Sequence, residues 1–261
     1  MKVNKHGIIV TVIMIILFLP VVGTALYSLS TNWSGTIFPD GFTVKWYFEI
    51  MKSPFLLKAM FRTVYICFIS LVFIVVIMVP TIFVTSYYFP KMEKLMEFLV
   101  LLCFSIPGAV SVVGLMKIYS NGILEITGTL YILIGVYFVL AFPFMYRGIK
   151  NSMNAIPMRE IIESANILGA STPKAFIRLI LPNMRKGIIV SLLLTFSILF
   201  GEFLLVNMLV GGKYQTMQMY INSIRTGVSG HFSSAVVTVY FLMIFVITFL
   251  GFGFNREKGD K

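Results

Sequence analysis

Residues 63–90 read TVYICFISLVFIVVIMVPTIFVTSYYFP, 28 positions without one charged side chain. A helix rises about 1.5 Å per residue, so about 20 apolar residues cross a hydrocarbon core of about 30 Å. The stretch is long enough to cross, and it lacks the two-residue alternation of a barrel strand. In lipid every backbone N–H and C=O must be satisfied inside a helix or a closed barrel, so a continuous apolar run of this length reads as a helix. The whole chain has the same character: of 261 residues, 58% are hydrophobic and 12% charged, against about 45–50% and about 25% in a soluble domain.

Working outward, comparable charge-free runs occupy residues 7–39, 98–116, 126–146, 187–212 (interrupted by Glu202) and 226–255. Together they predict an all-α integral membrane protein with six transmembrane helices, at about 8–28, 63–88, 95–119, 129–146, 187–208 and 233–254. Pro80, Pro107-Gly108 and Pro143 fall inside these spans, where kinks are expected. Met1-Lys2-Val3-Asn4-Lys5 looks like the basic head of a signal peptide, but no small-x-small site follows the apolar stretch, so an uncleaved first helix is expected. With six spans both termini share a side, and that side carries 14 of the 21 Lys and Arg residues. The positive-inside rule then places both termini in the cytoplasm. The formal charge of +11 reads as topology and attraction to anionic headgroups of the lipid bilayer, and does not point to nucleic acid.

The outer loops are then residues 29–61, 120–128 and 209–232. The first carries Trp33, Trp46 and Tyr47, aromatic types favoured at the membrane interface, with room for a short helix lying on the membrane. Cys67 and Cys103 fall inside spans as small hydrophobes, with neither a disulfide nor a metal expected. His6 at the membrane edge and His231 in the last outer loop have no neighbouring ligand types, so no metal site is expected. No convincing internal repeat is visible, which argues mildly against transporters built from inverted halves.

The inner segment 147–186 is far longer than a helix-to-helix turn needs, and its composition is not that of a disordered linker. Pro157 suits the first turn of a helix running to Leu168, with Ile161, Ala165 and Leu168 on one face and Gly169 as a left-handed terminator. Thr172 suits an N-cap with Pro173 in the first turn of a second helix that Pro182 ends. Two helices of about ten residues are marginal alone in water, so each needs a surface to pack on. Either their own bundle or a partner protein serves.

Glu163-Ser164-Ala165-x3-Gly169, followed after nine residues by Leu179-Ile180-Leu181-Pro182, resembles the EAA-x3-G-x9-I-x-LP signature of permease subunits of binding-protein-dependent ABC importers. Ser164 stands for the second Ala and Leu179 for Ile, substitutions that keep size and character roughly intact. The resemblance extends over nearly the whole chain and implies a single transmembrane domain. It implies that Glu163, Ser164 and Ala165 lie in a coupling helix that docks on an ATPase, that Gly169 permits the turn after it, and that Leu181 and Pro182 complete the coupling element. By itself Glu163 also reads as a solvated carboxylate pairing weakly with Arg159.

The partners so implied are two ABC ATPase subunits, a second permease protomer, identical or different, and an extracytoplasmic solute-binding protein. No phosphate-binding loop and no Ser-His-Asp set is visible, so the chain itself is expected to be neither an enzyme nor a cofactor carrier; ATP is used by the partner ATPases. An intramembrane carboxylate costs about 2.5–3.5 kcal/mol at a helix centre, so Glu202 should face the bundle interior, water or a partner. It serves as a residue of the translocation path meeting a cationic solute, as an interhelical hydrogen-bond anchor, or as a partly solvated residue near the outer surface. Asn166-Ile167-Leu168-Gly169-Ala170 and Gly201-Glu202-Phe203 resemble the polyamine, iron and aminoalkylphosphonate-like branch, which implies a polyamine or related small charged solute. An ion-coupled secondary transporter is the alternative, with Glu202 as its one supporting residue.

Overall fold

The structure, a computed structural model, describes residues 5–120 and 124–257. In chain order the helices are α1 (Lys5–Ser28), α2 (Lys45–Lys52), α3 (Pro54–Tyr88), α4 (Glu93–Ser105), α5 (Gly108–Tyr119) and α6 (Leu130–Asn154). After these come α7 (Met158–Ile167), α8 (Thr172–Phe200), α9 (Leu204–Leu209), α10 (Met217–Ile224) and α11 (Gly230–Glu257). Five of them, α1, α3, α6, α8 and α11, are long and apolar enough to cross a bilayer; Pro90–Ser105 with α5, bent by 97°, makes a sixth when taken as one broken span. No strand forms among the described residues, only a single antiparallel bridge between Ser30 and Phe42. The fold is the expected all-α membrane architecture.

Two compact units divide the chain. Met1–Phe61 with Met217–Phe245 form one, and Arg62–Thr216 with Val246–Lys261 form the other. In the first, α1 is apolar all round and no residue of its most apolar window is buried, which suits a helix whose solvent is lipid. Its C-terminal end is nonetheless tied down. Tyr27 stacks on His231, with ring centroids 4.2 Å apart, and Trp46 lies 5.8 Å away on an almost parallel plane. The Ser30 hydroxyl donates to the Tyr27 carbonyl, so Nδ1–H of His231 donates to Ser30 Oγ at 2.9 Å. His231 therefore sits in the first turn of α11 and organises an aromatic cluster, where a loop position was expected.

The second unit has a continuous core from α3 (Ile74, Met78, Ile82), α6 (Leu133, Tyr137, Met145, Ile149) and α8 (Leu199, Phe200), all fully buried or nearly so. Cys67 is buried and Cys103 half-buried, each with a free thiol. The prolines behave differently from one another. Pro80 and Pro143 lie within unbroken α3 and α6, whereas at Pro107 the helix stops, Ile106 turns extended and α5 starts at Gly108. A proline lacks the N–H that would continue the ladder and pushes its predecessor out of the helical region.

Several boundaries depart from the sequence expectation. α3 begins at Pro54, nine residues before the first charge-free position, with proline in its first turn. α6 runs eight residues beyond Tyr146. Pro182 does not stop the second loop helix: residues Phe176–Ile180 widen into one π turn and α8 continues to Phe200. The wider turn relieves the clash of the proline ring with the preceding carbonyls. The fifth span ends at Phe200, so Glu202 lies between α8 and α9. The terminal Lys2, Lys258 and Lys261, and residues 121–123 of the middle outer loop, lie outside the described residues.

Candidate functional site

The loop between α6 and α8 contains a short helix with a defined end. α7 starts after Pro157 and buries Ile162 and Ala165. It ends in a Schellman arrangement: the N–H of Gly169 donates to the Asn166 carbonyl at 2.9 Å and that of Ala170 to the Ala165 carbonyl at 3.0 Å. Gly169 has φ +82° with open space where a Cβ would stand, so its identity answers a backbone requirement and not a steric one. Glu163 and Ser164 are exposed. No ion pair joins Glu163 to Arg159 among the described residues. Leu168, expected on the packed face, is 87% exposed and Ile167 86%. The buried face is Ile162 with Ala165; at about 100° per residue Ile167 lies about 140° round the helix from Ile162, and Leu168, the residue after the last helical one, borders a recess with Ser164 and Ala165. Ser171 holds the N-cap position of the second helix without a side-chain capping bond, and Thr172 is already helical.

The stem under this loop is packed backbone to backbone. A Cβ on Gly148 of α6 would stand 1.8 Å from Ser191 Oγ of α8, and a Cβ on Gly187 of α8 would stand 1.7 Å from Ser152 Oγ of α6. Each serine returns its hydroxyl to the carbonyl of the glycine one turn before it, Ser152 to Gly148 and Ser191 to Gly187, both at 2.8 Å. Two Gly-x3-Ser pairs thus interlock on antiparallel helices, the small-residue packing that lets membrane helices approach closely. Leu181 is half-buried and Pro182 exposed at the foot of the stem, next to the π turn whose Phe176 stacks on Phe83 of α3 at 4.1 Å.

Elsewhere in the same unit two interrupted helices come together. α5, beginning after the break at Pro107, packs against α9, which begins after the break at Gly201–Phe203. A cavity of about 730 Å³ adjoins them, lined by Ile106, Pro107, Ser111, Tyr131, Gly135 and Leu205 among others. Glu202 is half-buried, and its Oε1 accepts the N–H of Leu205 at 2.8 Å. The carboxylate supplies the acceptor that the interrupted helix cannot. The Gly128 N–H reaches the Leu209 carbonyl at 2.9 Å, holding the far end of α9. Non-helical backbone at membrane depth is tolerated where protein or a cavity surrounds it.

Of the expected site residues, Glu163, Ser164, Ala165 and Gly169 fall together on α7 and its turn, Leu181 and Pro182 on the adjoining stem, and Glu202 at a separate place in the same unit. Ile167, Leu168 and the glycine–serine pairs are additional. The Gly-x3-Ser spacing at 148–152 and 187–191 was a readable sign of the latter; the outward turn of Leu168 had no sign in helical periodicity.

A family model described as the binding-protein-dependent transport system inner membrane component matches residues 46–256. The chain is 27% identical over 197 residues to PhnV of Salmonella typhimurium, a permease protein named for 2-aminoethylphosphonate transport, covering 75% of this chain and 73% of that one. A chain of the methionine ABC transporter MetNI in an inward-facing conformation superposes with a TM-score of 0.64 at 20% identity, over 77% of this chain and 95% of its own. A chain of a bacterial ABC transporter that imports alginate superposes with a TM-score of 0.72 at 11% identity, over 98% and 95%.

Proposed function

The chain belongs to the family of binding-protein-dependent transport system inner membrane components, and from that premise we propose that it is one permease protomer of an ATP-driven importer, with α7 as its docking element for an ATPase. The observation that carries this reading is the end of α7: a rigid turn, braced by an interlocked stem, holds Ile167 and Leu168 almost fully exposed. Two large apolar side chains held out of a polar helix end need a partner surface. Glu163 and Ser164, exposed one turn earlier, flank that contact, while Gly169, Leu181 and Pro182 keep it joined to the spans.

On this reading two ATPase subunits hydrolyse ATP, and this chain holds no cofactor and performs no catalysis. A second permease protomer completes the path, both termini face the cytoplasm, and a solute-binding protein delivers cargo at the opposite face. Family membership favours ATP-driven import over ion-coupled secondary transport. The similarity to PhnV and the carboxylate of Glu202 both support a small amine-bearing charged solute, an aminoalkylphosphonate or a polyamine. Copurification with the cognate ATPase tests the docking: Ile167→Asp/Leu168→Asp should leave the permease in the membrane and lose the ATPase, and undiminished copurification would sink the assignment. A thermal-shift panel of 2-aminoethylphosphonate and spermidine on the cognate binding protein tests the solute, and stabilisation by neither removes this class.

A further inference from the structure

One polar contact in the second unit has no role in the docking site itself. Lys150, in α6 between the interlocked Gly148 and Ser152, donates from Nζ to Ser86 Oγ near the end of α3 at 2.9 Å and to Glu93 Oε1 at the first residue of α4. The Lys150 and Glu93 side chains are 18% and 27% exposed and Ser86 is buried, so water competes weakly for the pair. One ammonium therefore clasps both ends of the turn between α3 and α4. Beside it lies a cavity of about 430 Å³ lined by Ser86, Lys150, Met153, Pro157, Arg159 and Glu160. The junction of α6 with α7 is thus not packed solidly against α3, and the polar clasp bridges the gap.

The face of α4 that continues from Glu93 carries Met96 and Val100, both buried, and then Phe104. Phe104 meets Phe144 of α6 edge to face at 5.7 Å, one residue before α4 ends and two before the break at Ile106–Pro107. α4 is therefore held to α6 at both ends. At the foot the hold is ionic and directional; at the hinge it is an apolar ring contact that can slide. A rod fixed at one end and free to slip at the other turns displacement at its foot into a change of angle at its hinge.

We propose that the Lys150–Glu93 pair is the positioning link through which movement of α6 and the docking loop is delivered to α4 and so to the bend between α4 and α5. This rests on the reading of α7 as the ATPase-docking element. The test uses the full complex with its ATPase in lipid nanodiscs, spin-labelled at Phe98→Cys and Val113→Cys with Cys67→Ala and Cys103→Ser. Phe98 and Val113 are both exposed, on opposite sides of the bend. The distance between labels is measured without nucleotide and with ATP and vanadate.

The parent complex is expected to show a nucleotide-dependent shift of that distance. The complex carrying Lys150→Met is expected to hydrolyse ATP through its ATPase yet lose the shift, a loss of coupling on the order of ten-fold, and the complex carrying Glu93→Lys/Lys150→Glu to regain it. An unchanged shift in assembled Lys150→Met overturns the proposal. If Lys150→Met fails to assemble, the exchange variant decides: assembly with a normal shift supports the link, and assembly without one overturns it. Failure of the parent permease to retain its ATPase at all is a failure of the docking assignment, and is seen before any distance is measured.

Discussion

The stem of α6 and α8 and the paired breaks at α5 and α9 lie in the same unit and solve the backbone problem in opposite ways. In the stem, glycine and serine bring two continuous helices so close that a single added carbon on either would overlap the other. At the breaks, both helices lose their ladders, a cavity of about 730 Å³ opens, and a carboxylate replaces a missing acceptor. Close-packed interiors transmit displacement because they have no slack. Interrupted helices absorb it, because a few non-helical residues take up the change in dihedral angle. One chain thus provides a stiff lever beside a compliant bend, and the difference between them is a difference in side-chain volume and backbone satisfaction, not in hydrophobicity.

The strongest way to break that contrast is to wedge the stem apart. Gly148→Leu should cost about 3 kcal/mol, the upper end for overpacking, because the added side chain meets Ser191 Cβ as well as its hydroxyl, at 2.7 and 1.8 Å. Thermal unfolding of the purified permease in detergent reads the loss. Ser191→Gly in the same chain should recover part of it by clearing the nearest atoms. If Gly148→Leu unfolds like the parent, the stem is not close-packed and the lever has no stiffness.

A smaller effect is expected at the proposed docking element, α7. Gly169→Ala adds a Cβ that touches nothing within 4 Å, at φ +82°, so the whole cost is conformational, about 1–2 kcal/mol. It should fray the turn that holds Ile167 and Leu168 outward and weaken ATPase copurification, leaving the amount of permease in the membrane unchanged. Gly169→Asn should recover much of the loss, since asparagine tolerates the left-handed region. Equal weakening by Ala and Asn would point to a contact at this position instead.

The six spans were legible because charge is scarce, but charge marks where lipid ends and not where a helix ends. Arg147 and Lys150 led to a loop where α6 simply runs on to Asn154, and Arg185 and Lys186 did the same for α8. Proline was a similarly partial guide. Pro80, Pro107 and Pro143 look alike in sequence, yet only Pro107, followed by a glycine that starts a new helix, breaks its span; Pro182 is carried by a π turn that no pattern of apolar residues announces. The turn at Gly169 was readable because a single residue type dictates it. The Lys150–Glu93 link was not, since it joins residues 57 positions apart through tertiary packing alone.

The smallest expected effect bears on the compliant side of the contrast. Glu202 satisfies the Leu205 N–H, and loss of a helix-capping acceptor costs about 1 kcal/mol. Glu202→Ala should lower the unfolding temperature by that small amount, whereas Glu202→Gln, which keeps a carbonyl oxygen in place, should unfold like the parent. The two substitutions separate acceptor from charge. If uptake of 2-aminoethylphosphonate or spermidine into proteoliposomes falls in the Gln variant while its stability stays at the parent value, the charge itself serves the solute and the break is part of the path. If uptake follows stability in both variants, the carboxylate is a structural device that lets α9 begin inside the membrane. The bend then owes its compliance to the interrupted backbone alone.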